Sequence, residues 1–115
     1  MHQDATQLAF RGLADPTRRQ ILVMLTERDQ SIAELADQFE MTRAAVKKHL
    51  SILEEGGLIK VRASGRERIN QLDAAGMHAV QFWLRQFDRV WAGRLERLVA
   101  AAEAVEKEKQ KGSKS

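Results

Sequence analysis

The residues of this chain best suited to chemistry with a charged partner stand together at 42–53, TRAAVKKHLSIL. Val46, Leu50 and Leu53 recur at i, i+4 and i+7 and give one apolar stripe of a helix. The opposite side carries Arg43, Ala44, Lys47, Lys48 and Ser51: three cations, two short side chains and no acid. A surface helix ordinarily mixes both signs of charge, because opposite neighbours three or four positions apart support each other. A face of one sign with small residues near the helix start suits close approach to a polyanion, and DNA is the expected one. Long cations there pair with guanine edges or phosphate oxygens, and the spacing does not say which residue takes which. Thr42 fits a helix cap, Ser51 a phosphate contact, and Ala44 leaves room to touch a thymine methyl. His49 has two readings, a phosphate donor or a residue packed on the flank of the scaffold.

A face of this kind needs a scaffold that holds it outward, and the flanking sequence supplies one. Ser31 and Glu34 have capping-box spacing, and Ile32, Leu35, Ala36 and Phe39 follow at i, i+3, i+4 and i+7. Only Glu40 and Met41 separate this helix from Thr42, the tight spacing of a helix-turn-helix. Upstream, Asp4 caps a first helix reaching about Leu13, with Leu8, Phe10 and Leu13 as apolar contacts. Asp15 followed by Pro16 opens a second helix, with Ile21, Leu22 and Leu25 buried and 27–30 as its exit loop. Arg18 and Arg19 at its start suit either the DNA backbone or a helix end of the same chain.

After the cationic helix, Gly56 and Gly57 read as a stop signal. Residues 58–63 and 67–72 read as a β-hairpin turning at Ser64-Gly65-Arg66. A hairpin in this position is the wing of a winged helix, and Arg62, Arg66 and Arg68 cluster near its tip. They suit a phosphate backbone or minor groove, or simply keep an edge strand soluble. Asp73 caps a last helix expected over 73–106. Met77, Val80, Leu84, Phe87, Trp91, Leu98, Ala102 and Val105 follow near-heptad spacing along it, and a partner helix is the natural cover. The tail 107–115 has a disordered composition. The expected class is therefore mainly α with a small β-hairpin, one winged helix-turn-helix domain over 1–106 that dimerises through terminal helices.

Composition narrows the rest. The chain has 115 residues and a net charge of only +3. Residues 42–68, however, hold seven Lys and Arg against three Glu, the concentrated basic footprint of nucleic-acid binding. There is no cysteine, so thiolate catalysis and cysteine metal sites are excluded. No apolar run approaches the roughly 20 residues needed to span a bilayer. The first ten residues lack the pattern of a signal peptide, so the expected location is cytoplasmic with no membrane partner. No Ser/His/Asp cluster or phosphate-cradling glycine loop appears, so an enzyme is not expected.

The stretch LADPTRRQIL at 13–22 resembles the ArsR family of bacterial winged-helix repressors. The resemblance continues through 42–50, through LEEGGLI at 53–59 and through the wing at 62–72. It implies a homodimer that binds operator DNA and represses transcription, with the interface on the first and last helices. Leu8, Val80, Leu84, Phe87, Trp91 and Leu98 are the expected interface residues. Metal-sensing members of the family place a Cys-x-Cys pair on the first helix of the helix-turn-helix, where this chain has Gln30-Ser-Ile-Ala-Glu-Leu35. Others carry Asp/His pairs on the last helix, where this chain offers only Asp73 and His78. Zinc needs three or four protein ligands, so no metal or other cofactor is expected and the effector is left open. Trp83 and Trp91 suit interface packing rather than a small-molecule pocket. The expected function is a sequence-specific regulator reading a pseudo-palindromic operator through helix 42–55 and wing 58–72. The alternative is a winged-helix protein-interaction module.

Overall fold

The computed structural model describes residues 4–112. The chain divides into two compact units, one up to Trp83 and one from Leu84 onward.

In the first unit, α1 (Ala5–Leu13) starts at Asp4, whose carboxylate accepts the Gln7 N–H at 2.8 Å. Helix α2 (Pro16–Glu27) starts at Asp15, which accepts the Arg18 N–H at 3.0 Å, with Pro16 in the first helical position. Helix α3 (Ile32–Asp37) carries the reciprocal capping box of Ser31 and Glu34. It ends two residues short of Phe39, because Gln38 and Phe39 tighten onto the carbonyls of Leu35 and Ala36. Helix α4 (Arg43–Glu55) is capped by the Thr42 hydroxyl, which accepts the Ala45 N–H at 3.1 Å.

One core joins these helices. Ile21 and Leu25 of α2, Leu35 of α3, and Val46, Leu50 and Leu53 of α4 pack with Leu58 and Ile59 at the root of the wing. Each fully buried aliphatic side chain contributes about 1.5–3 kcal/mol relative to exposure. The stripe on α4 is thereby spent inward, and its cations are turned out by the same rotation.

The wing is β2 (Ile59–Ser64) paired antiparallel with β3 (Glu67–Leu72), closed by Gly65 at φ 63°. Residues Gln30–Ser31, expected as exit loop and helix cap, form a third strand, β1, which pairs with β3 in the register Gln30↔Asn70 and Ser31↔Ile69. Strand order is β1-β3-β2, so the wing is anchored in the helix-turn-helix rather than hanging from it. Buried polar side chains hold this anchor. The Asn70 amide donates to the Gln30 carbonyl at 3.1 Å, and the Gln30 amide donates to the Met24 carbonyl at 3.0 Å. Gln38 donates to the Gln30 side-chain oxygen at 2.7 Å. Among the described residues no buried side-chain polar atom lacks a partner.

Helix α4 stops at Gly57, which takes φ 67°, a value that favours glycine. The next helix, α5 (Ala74–Arg85), begins directly on that turn. Gly76 N–H donates to the Gly57 carbonyl at 2.7 Å, and Asp73 N–H to the Leu58 carbonyl at 2.9 Å. Asp73 also caps α5, accepting the Ala75 N–H at 3.1 Å.

The expected single helix over 73–106 is two. Helix α5 ends at Arg85 and α6 runs Asp88–Gly112. The junction has no Pro or Gly, but Asp88 lies in the first turn of α6, where a carboxylate favours a helix start, and the heptad count passes over it. Helix α6 also continues through Lys111, so residues 107–112, expected in a disordered tail, are helical. Glu, Lys and Gln are good helix formers, and Glu103 and Lys107 stand four apart in the favourable order. Residues 113–115 of that tail lie outside the described residues. A further difference concerns Val80, expected at a dimer interface: it is only 5% exposed and belongs to the interior of its own unit. Small β-branched residues on a stripe read alike whether the cover comes from the same chain or another.

Candidate nucleic-acid interface

The structure brings the outward face of α4 and one face of the wing around a common groove of about 290 Å³. Lys47, Ser51 and Glu54 line it from α4, and Val61, Arg68 and Asn70 from the wing. Thr42, Arg43, Ala44, Lys47, Lys48 and Ser51 are all exposed. Among the described residues, Arg43, Lys47, Lys48, Arg66 and Arg68 form no ion pair, whereas Arg11, Arg28 and Arg62 do.

The three wing arginines do not act alike. Side chains alternate across a strand, and Arg68 stands opposite Ala63 while Arg62 stands opposite Ile69. Arg68 therefore shares the groove face with Val61 and Asn70, and Arg62 takes the other face. There Arg62 lies 3.7 Å from the Asp29 carboxylate, which also accepts from the Gln71 amide at 3.4 Å. Arg66 occupies the turn itself, beside Gly65. The structure thus unites Lys47, Ser51 and Arg68, keeps Arg66 at the tip and separates Arg62.

His49 points to the flank. Its Nδ1 lies 3.4 Å from an Arg18 guanidinium nitrogen and 4.0 Å from the Asp15 carboxylate. The two contacts need different states of Nδ1: an acceptor for Arg18 and a protonated donor for Asp15. Asp15 is held below the ordinary carboxylate range, first by the Arg18 backbone N–H and then by the charges of Arg18 and His49, against an opposing push from burial. Arg18 and Arg19 serve the scaffold as well. Arg18 donates to the carbonyls of Gly12 at 3.0 Å and Arg11 at 2.8 Å, and Arg19 to that of Leu13 at 2.8 Å. They close the C-terminal end of α1, where cations are favoured.

Sequence reasoning missed the groove's two other polar residues, Glu54 and Asn70. Glu54 follows Lys47 and Ser51 at i+7 and i+3, so helical spacing contained it, but an acid drew no attention on a basic face. Asn70 carried no local signal, because its partner Gln30 is forty residues away. Among the described residues no three potential metal ligands come together.

A helix-turn-helix whose second helix presents unpaired cations beside a three-stranded wing is a winged-helix DNA-binding domain. This chain belongs to the ArsR family of bacterial regulatory proteins, whose family pattern matches residues 15–61. It is 36% identical over 83 residues to the HTH-type transcriptional regulator Rv2034 of Mycobacterium tuberculosis, covering 72% of this chain and 75% of that protein. It is 27% identical over 78 residues to the transcriptional repressor SdpR of Bacillus subtilis, covering 68% of this chain and 87% of the repressor. The crystal structure of an ArsR family transcriptional regulator superposes with a TM-score of 0.70 at 33% identity, covering 80% of this chain and 97% of that one. The chain is a DNA-binding transcriptional regulator. Among the described residues no helix is long and apolar enough to cross a membrane.

Proposed function

We propose that the chain acts in the cytoplasm as a homodimeric repressor reading a pseudo-palindromic operator. The observation that carries this is the exposed α4 face, with Lys47 and Arg68 flanking one groove and no internal carboxylate bound to either. Two such faces related by a two-fold axis enter successive major grooves about 34 Å apart. Arg43, Ala44, Lys47 and Lys48 approach the groove, Thr42 and Ser51 the phosphates, and Arg66 and Arg68 the backbone or minor groove beside it. His49 contributes from the flank of α4, where its ring lies beside Arg18 and Asp15, and Arg62 contributes least, because Asp29 holds it on the far face of the wing.

Dimerisation rests on apolar surface that the monomer leaves bare. Helix α6 is exposed from Asp88 to Lys111, and Trp91 and Leu98 are 49% and 63% exposed. Such a stripe is stable only when covered. With Leu84 exposed and Leu8 and Phe87 half-buried, the interface uses α1 and the last two helices without Val80. Repression is supported by the similarity to the transcriptional repressor SdpR. The effector is of a kind other than a thiolate-bound metal, since the chain has no cysteine.

The test is titration of the protein into the DNA upstream of its own gene and into unrelated DNA at several salt concentrations. The upstream fragment should bind more tightly, two chains per site. Lys47→Ala with Lys48→Ala should weaken binding and lower the salt slope by about two. Undiminished binding and slope in the double variant would show that another surface meets DNA. Equal affinity for both fragments would refute self-regulation.

A further inference from the structure

A second groove, away from α4's cationic face, is apolar where the first is basic. It has a volume of about 560 Å³ and lies between α2, the end of α1 and the junction of β3 with α5. Leu13, Leu22, Val23, Leu58, Leu72 and Met77 make its walls. Val23, Leu72 and Met77 remain 57%, 39% and 41% exposed, so the groove is open to solvent along greasy surface. Its size falls within the range of small-molecule sites, which are mostly apolar with a few polar groups that fix orientation.

The polar groups here can be counted. The Thr26 hydroxyl donates to the Val23 carbonyl. Asp73 accepts the Ala75 N–H at the start of α5, where the positive end of the helix balances a carboxylate. Arg19 spends one N–H on the Leu13 carbonyl and retains the others of its five donors. Among the described residues it forms no ion pair. The groove thus combines an apolar body with one cation, Arg19, and one carboxylate, Asp73, the carboxylate facing the start of α5 and the cation forming no ion pair.

We infer that this groove binds an amphipathic carboxylate, a small molecule with an alkyl or aryl body against Val23, Leu72 and Met77 and its anionic head on Arg19. The occupant touches Leu58 and Leu72, the roots of both wing strands, and the first turn of α5, whose N–H groups bond the same junction. Its role as an effector rests on the repressor reading; its binding does not.

The test uses the full chain and decanoate below its micellar concentration, followed by calorimetry. Saturable binding of one decanoate per chain is expected, with decan-1-ol at least tenfold weaker on the order expected for a lost charge-assisted pair. Arg19→Gln should weaken decanoate about tenfold and leave decan-1-ol unchanged. Val23→Trp, at an exposed helix position, should fill the groove and abolish binding of both while the circular dichroism stays the same. No saturable binding, or equal binding of acid and alcohol, would overturn the proposal. So would a chain whose oligomeric state collapses in Val23→Trp without decanoate ever binding, which would make the groove an interface between copies. A second titration measures operator affinity with and without decanoate. Unchanged affinity would overturn the effector role alone, whereas absence of specific DNA binding in untreated protein would sink the repressor reading and leave the groove's binding intact.

Discussion

Replacing Gly76 and Gly93 by alanine, each in a helix, should move stability in opposite directions. A Cβ on Gly76 would stand 2.9 Å from both the carbonyl carbon and oxygen of Gly57, and closer still to the Gly56 carbonyl oxygen. These are backbone atoms, with no rotamer by which to withdraw. Relief requires parting α5 from the turn that ends α4, at the expense of the 2.7 Å hydrogen bond from Gly76 to Gly57. Overpacking of this kind costs about 1–3 kcal/mol, and a weakened hydrogen bond about 1 kcal/mol. Alanine returns about 1 kcal/mol of helix propensity. The net loss is about 1–3 kcal/mol, or about 4–12 °C in Tm for a chain of this size. Around Gly93 a Cβ would meet nothing within 4 Å, so only the propensity gain remains and α6 is stabilised. Thermal melts followed by circular dichroism measure both. If Gly76→Ala raised the midpoint as Gly93→Ala does, the close approach of α5 to the Gly56–Gly57 turn would be wrong.

The two faces of the wing predict that Arg68→Ala weakens operator binding and lowers its salt slope by about one, while Arg62→Ala changes either far less; equal losses in a binding titration would refute the assignment of faces. Asn70→Leu removes the amide that satisfies the buried Gln30 carbonyl, and the urea midpoint should fall by an amount corresponding to about 1–3 kcal/mol. Asp15 and Glu34 are both held below the ordinary carboxylate range, Glu34 first by the Ser31 backbone N–H that its side chain accepts. A depressed carboxylate stabilises the fold above its unfolded pKa and loses that contribution as pH falls through the folded one. Urea midpoints should therefore decline below about pH 4, and Asp15→Asn with Glu34→Gln, which still offer cap oxygens, should make that decline shallower.

What could be read from the chain was whatever is encoded within a few residues. The caps at Asp4, Asp15, Ser31 and Thr42 are local hydrogen-bond devices, and each stands where its side chain and spacing require. The cationic face of α4 was legible for the same reason, since 3.6-residue periodicity alone sorts Val46, Leu50 and Leu53 from Arg43, Lys47 and Lys48. Several differences arose where the deciding partner lay far away. Gln30 and Ser31 make a strand too short to show a period of two, and only Asn70 and Ile69 across the sheet reveal it. Arg62 and Arg68 looked equivalent until the register of the hairpin set them on opposite faces. Val80 and Trp91 belong to one apolar stripe in sequence, and only three-dimensional packing separates the buried residue from the bare one.

The third strand at Gln30–Ser31 has a consequence for how this protein can be re-engineered or can diverge. The DNA-reading part is often imagined as a cassette, a helix pair that can be cut from one regulator and set into another. Here the cassette's first two residues are also the outer strand of the sheet, and Gln30 is hydrogen-bonded at once to α2, to Gln38 just past the end of α3 and to Asn70 of β3. A graft that takes residues 30–55 without β3 imports a strand whose complement stays behind. On the proposed reading the exchangeable unit is smaller, the exposed positions of α4 alone, which can change without disturbing the sheet. New specificities in such a chain should arise by substitution on that one helix face rather than by shuffling of segments.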